Sequence, residues 1–313
     1  SIDFAEAITL SGQLAVKWAE KTLNEYLNRV LKTDNVDRII GIDTDSTYID
    51  LSELVKKLNS NDKNRITNAL DKFSKDNLSI EIRNAFTKLS VYLNSHDRIQ
   101  MAREVIADSG VWTGKKHYFL SVIDMKGKRY DEPKLKIVGL EAVKSNTPMM
   151  CKDALKKSYR YIADDDLKGL RKYIESFQNE YNKLPFIEIA SPSSVNGLRK
   201  YSNPSNIYIK STPLHVRGAL LYNKLLNDYN VKNKYEEIYD SVKIKYSYLK
   251  LPNPIREKVI ATPGINIPPE FGIEEYLNYA KQFEKSFLQP LKNVTNAINW
   301  ELEEHSSLEN FFG

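Results

Sequence analysis

Two carboxylates stand one residue apart in Asp43-Thr44-Asp45, with Ser46 next. Such a pair repels itself unless a cation neutralises it. Mg²⁺ is a hard ion suited to that task, taking one or two protein carboxylates and completing its shell with substrate phosphates. Carboxylates at i and i+2 of a strand point to one face, and in a turn they can still converge. The same four residues also suit ordinary turn chemistry, in which aspartate and serine oxygens bond nearby backbone amides. A second concentration of chemistry lies downstream. Residues 111–144 hold eight basic residues against four acidic ones, which is +4 of the formal net charge of +5. Trp112, Tyr118, Phe119 and Tyr130 are interleaved with them. Basic residues at aromatic spacing suit phosphate tracking and base stacking; lysines that blunt a solvated strand edge give the same pattern.

Other chemistries lack their motifs. Gly110-Val111-Trp112-Thr113-Gly114-Lys115-Lys116 has three residues between its glycines, one short of a phosphate-binding P-loop, and has Lys116 where that loop needs Ser or Thr. G-x-G-x-x-G, G-x-S-x-G and H-E-x-x-H do not occur, which removes the Rossmann, α/β-hydrolase and zincin readings. Cys151 is the one cysteine, so no internal disulfide forms, which suits a reducing compartment. With His96, His117, His215 and His305 scattered, a structural zinc site lacks ligand spacing. No stretch approaches the ~20 apolar residues of a membrane helix.

The elements that must position these residues read as α+β. Ala7, Ile8, Leu14, Ala15, Trp18, Leu23, Tyr26, Leu27 and Val30 recur at helical spacing, predicting a helix over about 5–31. Val36–Ile42 and Thr47–Leu51 read as a β-hairpin around the polar tip 43–46. Residues 52–95 are helical in pattern, and 99–107, 117–124 and a run from Arg129 read as strands. Beyond a soft boundary near 139, helical patterns cover 150–182 and 215–229. A Ser/Pro/Asn/Gly-rich stretch fills 190–206, and a Tyr/Lys-rich strand-like run covers 235–250. A final helix is predicted over 273–305, bent at Pro290.

Asp43-Thr44-Asp45-Ser46-Thr47-Tyr48 resembles motif C of the family B DNA polymerases, usually Y-G-D-T-D-S-x-Y. Further stretches agree in order. Ala5–Thr9 with Gly12-Gln13 looks like the helix preceding motif C, and Trp112–Tyr118 resembles the family's K-K-R-Y stretch. Glu132–Lys136, Gly139-Leu140-Glu141, Lys144-Ser145 and Thr147-Pro148 look like the passage from palm to thumb. Pro213–Gly218 resembles the thumb's P-F-H-I-R-G, and Ser307–Gly313 looks like a clamp-binding terminus. The resemblance is strongest to the replicative polymerases of T-even-type tailed bacteriophages and covers nearly the whole chain. Motif A (D-x-x-S-L-Y-P) and motif B (K-x-x-x-N-S-x-Y-G) do not occur in it. The chain opens on Ser1 rather than Met, and the resemblance implies the C-terminal third of such an enzyme. An antiparallel palm sheet with packed helices (1–139) would be followed by a mostly helical thumb (140–306) and a clamp-binding tail (307–313).

The resemblance implies template-directed transfer of deoxynucleotides from deoxynucleoside triphosphates to a primer 3′-OH, in phage replication within the cytoplasm of an infected bacterial host. Two Mg²⁺ ions, typically ~3.5–4 Å apart, would clamp the entering and leaving oxygens. By motif match, Asp45 is the metal-bridging carboxylate, Asp43 its neighbour, and Glu104 a further acidic position at the metals. Lys116 and Lys144 match residues that reach the primer-side minor groove, where every base pair offers acceptors. Tyr118 would support the primer strand. Lys115, Lys134 and Lys136 belong to the basic run, and Ser193, Asn196, Lys210, His215 and Arg217 are candidate phosphate contacts in the thumb; for Arg217 a structural ion pair is the competing reading. Leu308, Phe311 and Phe312 would dock on a sliding clamp. The expected partners are primer-template DNA, the clamp, and an N-terminal polymerase part carrying exonuclease, fingers and motif A, without which the chain is expected to be inactive. The alternative is a non-catalytic DNA-binding and clamp-tethering module. Three departures from the family pattern stand out: Gly41-Ile42 before the aspartates, His117 for the Arg of K-K-R-Y, and Leu214 for Phe.

Overall fold

The computed structural model describes residues 2–303. It is an α+β chain of small antiparallel sheets and packed helices. By their contacts the residues fall into two compact units. The first runs to Gly110 and takes in Gly114–Lys116 and Leu120–Lys136; the second takes Val111–Thr113, His117–Phe119 and the described residues from Ile137 onward.

The first unit opens with α1 (Ile2–Leu31). Ala15, Ala19, Leu23, Tyr26 and Leu27 recur along its second half on one face, and all are buried. Burying Leu23 and Leu27 contributes roughly 1.5–3 kcal/mol each. Asn24 and Asn28 of α1 direct the chain into the next element, because their Oδ1 atoms accept from the amides of Arg38 (2.9 Å) and Val36 (3.1 Å). That element is the hairpin β1 (Ile39–Asp43) and β2 (Ser46–Ile49). Ile39 and Ile49 lean on the α1 core. Three helices follow: α2 (Ser52–Leu58), α3 (Lys63–Phe73) and α4 (Ser79–Tyr92). Asp62 caps α3 by accepting from the amides of Asn64 and Arg65. A π turn, Ser74–Leu78, carries α3 into α4 without a break. Ile82, Phe86 and Leu89 of α4 close the core under α1, and the Trp18 indole N–H donates to the Ala85 carbonyl at 3.0 Å.

A three-stranded sheet in the order β3-β4-β5 is built from β3 (Val105–Gly114), β4 (His117–Met125) and β5 (Lys128–Val138). Two-residue turns join its neighbours, which makes it antiparallel. At the second turn Lys126 (φ 52°) and Gly127 (φ 86°) are both left-handed, the geometry of a type I′ hairpin. The strand predicted over 99–107 begins only at Val105. Residues 99–104 form no ladder, and Arg103 there commits its guanidinium to Asp71 of α3 and Asp124 of β4.

In the second unit, α5 (Met149–Ala163), α6 (Leu167–Tyr181) and α7 (Phe186–Ile189) precede β6 (Ser191–Ser194). After α8 (Leu198–Tyr201), the small ladder of β7 (Ser202–Asn203) and β8 (Ile207–Tyr208) leads to α9 (Leu214–Asp228). The strands β9 (Lys243–Tyr248) and β10 (Val259–Thr262) then complete an antiparallel sheet ordered β10-β9-β6. Helix α9 crosses β10 so closely that a Cβ on Gly218 would lie 2.9 Å from the Ala261 nitrogen and 3.0 Å from the Ile260 carbonyl carbon. Cys151 lies within α5, fully buried, and burial pushes its thiol up to about 12. The helix predicted over 273–305 is shorter: α10 (Tyr279–Phe283), a π turn at Glu284–Leu288, and α11 (Gln289–Asn296). Pro290 does not break it. Its missing N–H is absorbed at the π turn, where the Gln289 amide bonds back five residues to the Glu284 carbonyl. Among the described residues no helix is long and apolar enough to cross a membrane.

Candidate active site

The tip of the β1–β2 hairpin is a two-residue turn, Thr44-Asp45, closed by the Asp43–Ser46 pair. The Asp45 amide donates to the Asp43 carbonyl at 2.6 Å, and the Ser46 hydroxyl donates to the same oxygen at 3.1 Å. These two bonds run to the Asp43 carbonyl rather than from backbone amides to aspartate or serine side-chain oxygens, and the Asp43 carboxylate accepts from the Thr44 hydroxyl at 3.2 Å. Thr44 pays for the tight reversal with a left-handed backbone, φ 53°. For a β-branched residue that conformation is strained by about 1–3 kcal/mol, and such strain clusters at functional sites. A bulge between Ile39 and Gly41 resets the register just before the tip, at the segment where Gly41-Ile42 departs from the expected pattern.

Lys116 reaches this tip from the turn between β3 and β4. Its Nζ lies 3.4 Å from Asp43 Oδ1 and donates to Thr44 Oγ1 at 3.3 Å. Lys116 is itself left-handed, φ 60°. The pair is partly open to solvent, with the Asp43 side chain 22% exposed and that of Lys116 55% exposed. Asp45 lines a neighbouring cavity of about 470 Å³, with Ser11 and Gly12 of α1, Phe86 of α4, and Gln100 and Met101. Beside it, the first half of α1 carries Ile2, Phe4, Ile8 and Leu10, each more than half exposed.

Glu104 is not part of this grouping. Its carboxylate pairs with Lys126 at 2.9 Å, which holds its pKa below the usual range. Among the described residues no three His, Cys, Asp or Glu side chains come together to hold a metal. Next to Glu104, Arg103 is 11% exposed and bridges Asp71 and Asp124. Burial works against the charge on Asp124, but Arg103 and the Gly127 amide at 3.0 Å keep its carboxyl below the ordinary value.

The candidate nucleic-acid contacts are placed unequally. Lys115 and Lys134 are exposed, and Lys136 is half-buried; Lys134 sits 4.5 Å over the Tyr130 ring. Tyr118 is 3% exposed and stacks on Trp112 at 5.7 Å, so its ring belongs to the sheet's packing. In the second unit Lys144 meets Glu141 at 2.9 Å. Ser193 sits on β6 opposite Ile244, and Asn196 and Lys210 are exposed. Burial pushes the pKa of half-buried His215 down, so it is neutral near pH 7 and offers no fixed charge to a phosphate. Arg217 is committed at home. It donates to the carbonyls of Thr212 (2.8 Å) and Lys210 (3.0 Å) and lies 5.1 Å over the Tyr208 ring. Leu308, Phe311 and Phe312 lie outside the described residues.

No protein-family model matches the chain. It is similar to the DNA-directed DNA polymerase of Enterobacteria phage T4, 32% identical over 324 residues that span 99% of the chain and 36% of that protein. It is likewise similar to the DNA-directed DNA polymerase of Escherichia phage RB69, 35% identical over 323 residues that span 98% of the chain and 35% of that protein. The chain thus spans about a third of the length of the curated relatives it matches.

Proposed function

We propose, for a chain related to T-even-type phage DNA polymerases over about a third of their length, that it is the late palm and thumb of a family B DNA polymerase. In this reading it joins a primer 3′-OH to the α-phosphorus of a deoxynucleoside triphosphate and releases pyrophosphate. The observation that carries the reading is the strained hairpin tip, which sets Asp43 and Asp45 one residue apart with Lys116 against Asp43. Two carboxylates on one tight turn fit a hard divalent cation, and Asp45 and Asp43 would hold Mg²⁺. Bound there, Mg²⁺ would supply charge neutralisation at the reacting phosphates. Lys116 offsets the charge of Asp43, and the α1 wall beside Asp45 limits the water around the reacting groups.

The remaining carboxylate and the fingers come, in this proposal, from a polypeptide carrying motifs A and B. That partner covers the exposed apolar start of α1, a surface of the kind that marks an interaction site. The exposed lysines of 115–136 follow the primer-template backbone, and Leu308, Phe311 and Phe312 tether the chain to a sliding clamp. The compartment would be the cytoplasm of an infected bacterium. The test is primer extension with Mg²⁺ and nucleotides: none by the chain alone, and synthesis once a polypeptide bearing the rest of such a polymerase is added. Absence of synthesis from the mixture, with complex formation verified, would sink the reading.

A further inference from the structure

Asn196-Gly197 is the one Asn-Gly pair in the chain. The pair has a chemistry of its own. The backbone nitrogen that follows an asparagine can attack the side-chain amide carbon, and glycine, with no Cβ, obstructs that approach least. A folded chain permits the attack only where the side-chain amide is accessible, the nitrogen is uncommitted and the backbone is free to bring the two together.

These conditions meet in the turn between β6 and α8. Asn196 is exposed, and its side-chain amide bonds to no described residue. The Gly197 amide likewise has no acceptor among the described residues. Gly197 is left-handed, φ 77° and ψ 31°, so it belongs neither to the sheet nor to the helix. Its surroundings are held on both sides. The Val195 amide donates to the Val242 carbonyl at 3.1 Å, and the Leu198 amide donates to Asp240 Oδ1 at 2.9 Å. The regular bonding stops one residue before the pair and resumes one residue after it. The two Asn-Ser pairs, Asn59-Ser60 and Asn94-Ser95, are internal comparisons. Each sets a Cβ beside the attacking nitrogen, and the Ser95 amide is already spent on the Ser90 carbonyl at 2.9 Å.

We infer that Asn196 is a site of spontaneous deamidation. The Gly197 nitrogen gives its proton to solvent base and bonds to Asn196 Cγ. The Cγ–Nδ2 bond breaks, and Nδ2 takes up a proton and leaves as ammonia. Water then opens the succinimide ring at either of its carbonyls, giving aspartate or isoaspartate; water is the sole co-reactant. Either product sets a carboxylate where a neutral amide stood and lowers the formal net charge of +5 by one. The new charge arises two residues from the amide that Asp240 caps, where like charges oppose each other. Isoaspartate also adds a methylene to the main chain just ahead of α8. The inference does not depend on the proposed polymerase function.

The test ages the full chain at mildly alkaline pH, with a free peptide of residues 193–200 beside it as the unstructured reference. Both are mapped by mass spectrometry, and isoaspartate is counted with an isoaspartate methyltransferase. Asn196 should be converted in the folded chain, in part to isoaspartate, and faster as pH rises, because the nucleophile is the deprotonated Gly197 amide. Asn196→Gln should remove the conversion, since its longer side chain closes a larger ring far more slowly. If the free peptide is converted while Asn196 of the chain stays intact, or if Asn59 or Asn94 reacts before it, the inference is overturned.

Discussion

The Lys116 ammonium sits 3.4 Å from Asp43 Oδ1, although the two residues belong to different hairpins. In the absence of a divalent ion the lysine is the counter-charge of the aspartate pair, so any cation binding Asp43 and Asp45 competes with it. Lys116→Ala should tighten Mn²⁺ binding, followed by electron paramagnetic resonance of the free ion. The pair is half exposed, so the gain is modest, about 2–5-fold. An unchanged affinity would show that Lys116 and the cation do not share Asp43.

Asp45→Asn removes a charge at the cavity wall while keeping the side chain's shape. Under the proposed function, synthesis by the reconstituted mixture should fall by at least about 10³-fold, the scale of several kcal/mol of lost charge stabilisation. Duplex binding should stay within about 2-fold, because the phosphate-tracking lysines are untouched. Full activity in Asp45→Asn would favour the non-catalytic tethering module instead.

Gly218 allows α9 to lie on β10. Its replacement by alanine places a Cβ 2.9 Å from a backbone nitrogen and 3.1 Å from Ala261 Cβ, and backbone cannot yield as a flexible side chain would. Alanine's better helix propensity recovers up to about 1 kcal/mol, against overpacking of about 1–3 kcal/mol. Gly218→Ala should therefore lower the denaturation midpoint of the second unit. A rise would mean that α9 shifts without loss.

Acid should weaken the first unit through three carboxyls. Asp71 is held below its usual range by Lys75 and Arg103, Glu104 by Lys126, and Asp124 by Arg103 against the effect of burial. Because the folded pKa values are depressed, their stabilisation is complete above the unfolded values near 4. It is lost as pH falls through the lower folded values. Arg103→Ala leaves Asp124, whose side chain is 3% exposed, with Arg129 at 3.5 Å and the Gly127 amide at 3.0 Å, so it removes a charge-assisted bond without stranding the carboxylate and should cost about 1.5–3 kcal/mol at neutral pH. The acid-unfolding midpoint should move upward with it, read by circular dichroism. An unmoved midpoint would mean that Arg129, already 3.5 Å from Asp124, holds the carboxylate without Arg103.

The sequence made the helices and hairpins legible where periodicity was strong. The α1 repeat from Ala7 to Val30 and the hairpin around Asp43 and Asp45 depend on spacing within a few residues, which a single chain displays. What it concealed was set by distant partners. Nothing local says that Lys116 meets Asp43, that Glu104 is held by Lys126, or that Arg217 is occupied by backbone carbonyls. Strand β3 starts late because Arg103 answers to Asp71 and Asp124, neither of them a neighbour in sequence. At Pro290 the concealed part was the π turn placed just before it, which accommodates the missing amide within the helical run.

The single thiol of Cys151 is fully buried and barely ionises near neutral pH. Since the thiolate is the reactive form, the folded chain is in effect blank toward maleimide reagents. One cysteine introduced at an exposed position, for instance Asn196→Cys beside the second sheet or Lys134→Cys on β5, becomes a unique handle. Fluorophores or spin labels can then be attached at chosen points while the native residue stays in place.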